Sequence, residues 1–444
     1  MSPRVEAVNS DLALPEAVDV VIVGGGIIGS AAALFLAERG LSVALIEKGR
    51  IAGEQSSRNW GWCREQLRSL PEVPLALKSM ALWRGMDERI GETSGFRQTG
   101  MMVVSVSEEE VGHWKKWMDD TAHYGMPGSI LSAAQVKERL PLTSEKWIAA
   151  IESPVDGWAE PAVAAPAIAR AAQRKGALII QNCAVRGWET KAGKVSHVIT
   201  EKGSIRTSQI LVAGGAWSSM LLRHQGIAIP QSGVYATAFR TEASAEVHPG
   251  GVGSPLFSYR RRMDGGYTIG LRGRGRVELS PLGLLQWREF FPLFLRRKGE
   301  VSLSIGRSFF DGPFAWQRWR NDQRSPFEND RSRIYDPAPD DKLVDAGMEA
   351  FRKAYPVMAN IGVAEKWGGL IDATPDMVPI ISDVAGHPGI HIATGFSGHG
   401  FALGPGAGWL VASMIAGETP DVDASPFALS RFAEGRAHTA HRWV

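Results

Sequence analysis

The residues best suited to chemistry open on a spaced set of glycines, Gly24-x-Gly26-x-x-Gly29. In this spacing the first glycine permits a tight turn, the second lets backbone approach a pyrophosphate, and the third lets helix and strand pack closely. Ile27 and Ile28 begin the helix that follows, whose unpaired N–H groups and partial positive charge face the anion. Glu47 lies 18 residues after Gly29, at the end of the apolar run LSVALIE, where a carboxylate can accept from ribose hydroxyls. A strand before the turn and a helix after it make dinucleotide binding the leading reading over a purely structural turn. A second cluster is Ser56-Ser57-Arg58-Asn59-Trp60-Gly61-Trp62-Cys63-Arg64. Its hydroxyls suit phosphates and its aromatics suit a flat ring, which favours FAD over NAD. A third is Gly395-Phe396-Ser397-Gly398-His399-Gly400-Phe401. A helix starting here would stabilise negative charge on a reduced flavin, with His399 adding to the effect.

These clusters need elements to hold them. Residues 18–23 (VDVVIV) read as a strand buried on both faces, 30–39 as a helix stopped by Gly40, and 41–47 as a second parallel strand. Helices are predicted over 162–175 and 408–416, and strands over 177–185, 205–213 and 390–394. The intervening regions differ. They carry helical patterns at 108–123, 133–140 and 282–297, alternating strand-like runs at 234–240 and 267–271, and a polar loop over 325–341. The fold class expected is α/β: a Rossmann-like FAD-binding domain of discontinuous segments (1–85, 150–230 and 345–444). An antiparallel-sheet substrate domain of α+β type (86–149 and 231–344) is inserted into it.

Composition bounds the function. The 444 residues carry a net charge of +2, which argues against nucleic acid as a partner. Between Pro230 and Ile334 there are 17 Arg or Lys against 10 Asp or Glu, a local excess that favours an anionic substrate group. The two cysteines, Cys63 and Cys183, form no metal spacing and suit a reducing cytoplasm. No run reaches the roughly 20 apolar residues of a membrane span, and residues 1–17 lack the apolar core of a secretory signal.

Four stretches together resemble the FAD-dependent D-amino-acid oxidase superfamily, in its bacterial branch with glycine oxidase, sarcosine oxidase and amino-acid dehydrogenases and deaminases. They are VIVGGGIIGSAAALFLAERGLSVALIEK, VDGWAEPAVAAPAIARAAQRKGA, ILVAGGAWSS, and GGLIDATPDMVPIIS with ATGFSGHGFALGPGAG. The resemblance implies that Gly24, Gly26, Gly29, Glu47 and Lys48 hold the adenosine and pyrophosphate side. It implies that Ser56, Ser57, Asn59 and Gly61 line the flavin side of the phosphates, and that Val185 meets the adenine. Ala213, Gly214 and Trp217 would border the cofactor, with Gly398, His399, Gly400 and Phe401 around the flavin ring.

Departures from the family bear on substrate. An Arg found in the glycine oxidase branch before the TPD-like turn is replaced here by Gly369-Leu370-Ile371-Asp372. The sarcosine oxidase Lys after the GHGF-like turn is Ala402, and its flavin-linking Cys is missing, so non-covalent FAD is expected. A substrate carboxylate must then be held by another arginine. Arg64 is the first candidate, Arg272 the second, with Arg260 and Arg324 behind them. Tyr259, Trp62 and Trp367 are expected as aromatic walls. Glu65 or Asp372 could hold a cationic side chain. The resemblance implies an amino-acid oxidase or dehydrogenase that passes hydride from Cα–H to flavin N5, with oxygen or another acceptor taking the electrons. The alternatives are a sarcosine-type secondary-amine oxidase and a non-catalytic flavin-binding subunit. A homo-oligomer is compatible with all three.

Overall fold

Val20–Val23 forms the centre of a six-stranded sheet because every side chain in it is apolar and buried or nearly so. A computed structural model describes residues 3–297, 299 and 301–438. The sheet runs Ile380–Asp383, Ile390–Thr394, Gln209–Val212, Val20–Val23, Val43–Ile46 and Leu178–Ile180 in spatial order. All pairings are parallel except that of Ile380–Asp383 with Ile390–Thr394. Such a sheet collects the carboxyl ends of its parallel strands on one edge, where ligands of open α/β sheets bind. Residues 24–26, 47, 213–214 and 395–399 all follow directly from those strand ends.

The helix Ile27–Glu38 packs against Pro161–Arg174 and Gly400–Ile415 on one face of the sheet. The last of these starts at Gly400, eight residues before its expected start at Gly408. Gly404, Gly406 and Gly408 do not break it. A Cβ on Gly404 would stand 2.6 Å from Ile27 Cγ1, and one on Gly408 would stand 2.5 Å from Ala31 Cβ. The glycines are where two helices touch.

A second sheet of ten strands runs Val301–Ser304, Gly275–Glu278, Ser232–Thr241, Tyr267–Gly270, Ser258–Arg261, Gly251–Gly253, Met101–Ser105, Ala149–Ser153 and Ser129–Ser132. The tenth strand, Val363–Ala373, pairs antiparallel with Ser232–Thr241 along its whole length. The sheet is mainly antiparallel, with two parallel pairings, Gly251–Gly253 with Met101–Ser105 and Gly275–Glu278 with Val301–Ser304. Val363–Ala373 comes from sequence assigned at first to the nucleotide-binding segments.

Other expectations shift locally. The strand expected over 177–185 is Leu178–Ile180, and Val185 begins another strand in a separate three-stranded meander, after a left-handed Asn182 (φ 48°). The run 205–213 likewise divides between two sheets, ending Gly203–Arg206 and starting Gln209–Val212. The single helix expected over 282–297 is two, Pro281–Leu285 and Trp287–Arg296. No helix among the described residues is long and apolar enough to cross a membrane.

Candidate active site

A cavity of about 690 Å3 runs from the glycine turn at residues 24–28 to the turn at 396–402, between the two sheets. Its size is in the range of small-molecule and cofactor sites. Gly24, Gly26, Ile27, Ile28, Glu47, Lys48, Ser56, Arg58, Asn59, Trp60, Gly61, Val185, Ala213, Gly214, Trp217, Gly398, His399, Gly400 and Phe401 all line it. The two glycine turns, 370 residues apart in sequence, therefore meet one space.

At the first turn the glycines act as their spacing predicts. A Cβ on Gly29 would sit 2.0 Å from the Gly24 carbonyl oxygen, so the third glycine serves packing and does not line the cavity. A Cβ on Gly26 would meet Ser56 Oγ at 3.1 Å and nothing else within contact range, so this position is open toward the cavity. The helix has no side-chain cap of its own, and Ser56 Oγ accepts from Ile27 N at 2.9 Å. Open backbone at Gly26, at a helix start with no cap from its own N-cap residue, fits a pyrophosphate. Both Glu47 carboxylate oxygens brace the turn, Oε2 accepting from Gly25 N and Oε1 from Gly49 N, each at 2.7 Å. Each oxygen keeps a lone pair for a ribose hydroxyl. Burial pushes the Glu47 carboxyl up.

Two expected binders do other work. Ser57 donates its hydroxyl to the Glu54 carbonyl at 3.1 Å and lies outside the cavity lining, because the short helix Gln55–Arg58 turns it away. Lys48 is held by Glu54 and the backbone carbonyls of Ser332 and Arg333, and its ammonium lies 4.7 Å from the centre of the Trp217 ring. It braces this end of the cavity. Asn59 bridges its own loop, donating to the carbonyls of Gln55 and Ser56 and accepting from Gly61 N. Arg58 is buried and donates to Asp336 and to the carbonyls of Gly368 and Gly53, tying the loop to the second sheet.

At the far end, the turn after Thr394 takes left-handed backbone at Gly395, Ser397 and Gly398. Asp372 fixes it, its Oδ2 accepting from Gly395 N at 2.7 Å, Thr394 Oγ1 at 3.1 Å and Gln231 Nε2 at 3.0 Å. All three bonds fall on Oδ2, so one oxygen of the carboxylate is spent on holding the turn. His399 Nδ1 is 3.1 Å from Glu72 Oε1, and Glu72 Oε2 accepts from Ser69 Oγ at 2.5 Å. Burial alone would raise the Glu72 carboxyl, but His399 and Arg68 outweigh it and hold it below the usual carboxylate range. Burial pushes the His399 imidazole down, and Arg68 and Arg64 add to this against the pull of Glu72. His399 is thus a neutral ring at neutral pH. With Nδ1 engaged by Glu72, its Nε2 has no partner among the described residues.

Arg64 and Arg68 stand in the same wall. Arg64 donates through Nη1 to the Gln66 carbonyl at 3.0 Å, and Arg68 through Nε to the Arg64 carbonyl at 3.2 Å. Neither forms an ion pair with a carboxylate among the described residues. Burial, with Arg68 close by, pulls the Arg64 guanidinium down to about 9. The carboxylates of Glu72 and Asp156 act on both guanidinium groups without pairing with either among the described residues, which leaves the two cations able to take an anion. Arg272 also lines the cavity, but its Nη2 is paired with Glu110 Oε1 at 2.8 Å and its side chain is 38% exposed, so it marks the rim.

Five of the expected substrate contacts fall elsewhere. Tyr259 is 1% exposed, packs among Tyr267, Phe351 and Tyr355, and has its hydroxyl 2.7 Å from that of Tyr355. Its strand turns it into the core behind the second sheet. Trp367 is outside the lining too, and its indole donates to the Arg58 carbonyl at 2.9 Å. Arg260 is fully buried against Glu160, with Nη1 to Oε1 at 2.6 Å, and donates to the Trp60 carbonyl as a strut beneath that loop. Arg324 donates to the Glu328 carbonyl outside the cavity. Glu65 points to a different cavity altogether. Trp62 does line the cavity, edge-on to Trp60 with centroids 5.3 Å apart.

Arg68 and Glu72 are functional candidates that motif reading missed. A signal existed for one of them: Ser69-x-x-Glu72 has capping-box spacing, and the Ser69–Glu72 hydrogen bond is present.

The chain is 27% identical to the sarcosine oxidase subunit beta of Arthrobacter sp over 95% of its length and 93% of the relative's. It is 26% identical to the mitochondrial sarcosine dehydrogenase of Mus musculus over 97% of its length, spanning 43% of that protein. The structure of L-amino acid deaminase from Proteus myxofaciens in complex with anthranilate superposes with a TM-score of 0.92, at 33% identity and 97% coverage of both chains. Residues 19–414 match the family model DAO, FAD dependent oxidoreductase. With two strand-to-helix turns facing one cavity and this match across nearly the whole chain, the protein belongs to the DAO family and is an FAD-dependent oxidoreductase.

Proposed function

We propose that the protein oxidises the Cα–N bond of a primary L-amino acid, giving an imine that water hydrolyses to a keto acid and ammonia. The observation that carries this reading is the half-buried Arg64 and the buried Arg68, neither in an ion pair among the described residues, in the cavity wall that also holds His399. FAD, when bound, would supply the two-electron acceptor for the hydride leaving Cα, with oxygen or another acceptor taking the electrons afterwards. It would be held non-covalently, its adenosine side at Gly26, Glu47 and Val185 and its ring side at Asn59, Gly61 and residues 398–401. Arg64 and Arg68 bind the substrate carboxylate and so fix the direction of Cα. His399, neutral and steadied by Glu72, offers Nε2 to take the proton that the substrate ammonium must lose before hydride can leave. Trp60, Trp62 and Leu67 line the space near these groups with apolar surface, which excludes water and suits an apolar side chain.

The deaminase relative at 33% identity supports a primary L-amino acid. The sarcosine relatives support a second reading, oxidation of an N-methyl amino acid. Anaerobic mixing of the FAD-loaded protein with L-, D- and N-methyl amino acids tests both. Bleaching of flavin absorbance by L-amino acids, with ammonia and keto acid as products, is the expected result. Formaldehyde release from N-methyl substrates alone would replace the first reading by the second.

A further inference from the structure

The segment from Arg64 to Arg68 is a partition with a cavity on either side. Arg64, Leu67 and Arg68 face the reaction cavity, whereas Glu65 and Gln66 line a second cavity of about 260 Å3. Trp117, Met118 and Met126 form its apolar wall, and Ser153 is also part of the lining. Three polar atoms of these lining residues have no hydrogen-bond partner among the described residues: Glu65 Oε2, Gln66 Oε1 and Ser153 Oγ. Their residues are only 3%, 3% and 2% exposed. Buried polar atoms are nearly always paired, and a bare carboxylate is the costliest exception. The Gln66 amide is oriented by its own Nε2, which lies 3.5 Å from the Ile151 carbonyl; a flip would set oxygen against oxygen. Arg84 acts on Glu65 from a distance without forming an ion pair, and burial outweighs it.

Three unused oxygens, one of them a carboxyl oxygen, therefore belong to residues that line a small chamber with an aromatic and thioether wall. We propose that this second cavity binds a small ammonium-type cation, Glu65 supplying the counter-charge and Gln66 and Ser153 accepting its N–H groups. The Trp117 ring and the two methionines accommodate a short alkyl substituent. Occupancy is transmitted to the reaction cavity, because the Gln66 carbonyl accepts from Arg64 and the Trp117 indole donates to the Arg68 carbonyl at 2.8 Å. Binding itself does not depend on the substrate proposed above.

Calorimetric titration of the FAD-loaded protein with methylammonium chloride, against sodium chloride at equal ionic strength, tests the site without turnover. Saturable binding specific to methylammonium is expected in the wild type, weakened at least tenfold in Glu65→Gln and weakened in Ser153→Ala. Flavin absorbance changes on adding acetate, which report the reaction cavity, are expected to be the same in wild type and Ser153→Ala. Indistinguishable heats for the two salts would mean a chamber that holds only water and would overturn the proposal. Undiminished methylammonium binding in both variants would place the site elsewhere and overturn it equally. Should Glu65→Gln fail to fold, Ser153→Ala and Gln66→Leu decide the matter.

Discussion

Arg64 and Arg68 sit four residues apart, both desolvated and neither in an ion pair among the described residues, which is a cost that an arriving anion removes. Hydrogen bonds to charged groups contribute about 1.5–3 kcal/mol each. Arg64→Met should therefore lower kcat/KM roughly 10- to 100-fold on that principle, while leaving FAD content unchanged; stopped-flow flavin reduction measures the first and absorbance the second. Glu72 makes a separate prediction. Its carboxylate raises the His399 imidazole against burial and the two arginines. Glu72→Gln removes that pull, so the imidazole falls further and the acidic limb of the pH–rate profile moves to lower pH. A limb that stays in place would mean another group titrates. Sequence reading reached His399 and Arg64 because each lies inside a compact motif. It missed Glu72, whose partner is 327 residues away, and Arg68, which belongs to no motif. Tyr259 and Trp367 misled for a different reason: an aromatic residue in a strand has two faces to choose from, and only register decides which is the core.

Elements were legible where the pattern was local. A buried apolar strand, a glycine turn and a small-residue helix announce themselves within 20 residues, and the structure places all three where expected. The late helix was cut short in sequence because Gly404-Pro405-Gly406 looks like a break, yet those positions are the contact surface for Ile27 and Ser79. Helix contact depends on a neighbour nearly 400 positions away, so composition alone cannot tell a packing glycine from a breaker. Gly29 is the sharper test of such contacts. Gly29→Ala puts a methyl group 2.0 Å from the Gly24 carbonyl oxygen, and the turn must move. The variant is expected to purify largely without flavin, read as loss of flavin absorbance per mole of protein.

Across the whole molecule, the buried Arg260–Glu160 pair joins the second sheet to the loop below the flavin end. Burial would raise the Glu160 carboxyl, but Arg260 and Arg262 hold it down at about 2 instead of the usual 4.5. A depressed carboxyl stabilises the fold above its unfolded value, and that contribution is lost as pH falls from about 4.5 toward about 2. Glu160→Gln leaves a buried guanidinium half-paired and should cost roughly 3–5 kcal/mol at neutral pH, measured by denaturant unfolding. The difference from wild type should shrink below pH 4.5.

The strand Val363–Ala373 runs the length of Ser232–Thr241 in one sheet, and its penultimate residue, Asp372, clasps Gly395 at the edge of the other. The two sheets thus share a continuous hydrogen-bonded girder that passes through the floor of the cavity. Swinging them apart like jaws would snap that girder at Asp372, so the molecule is built against hinge opening. Traffic in and out of the cavity is left to its rim, where Leu284, Trp287 and Phe291 already stand partly in water.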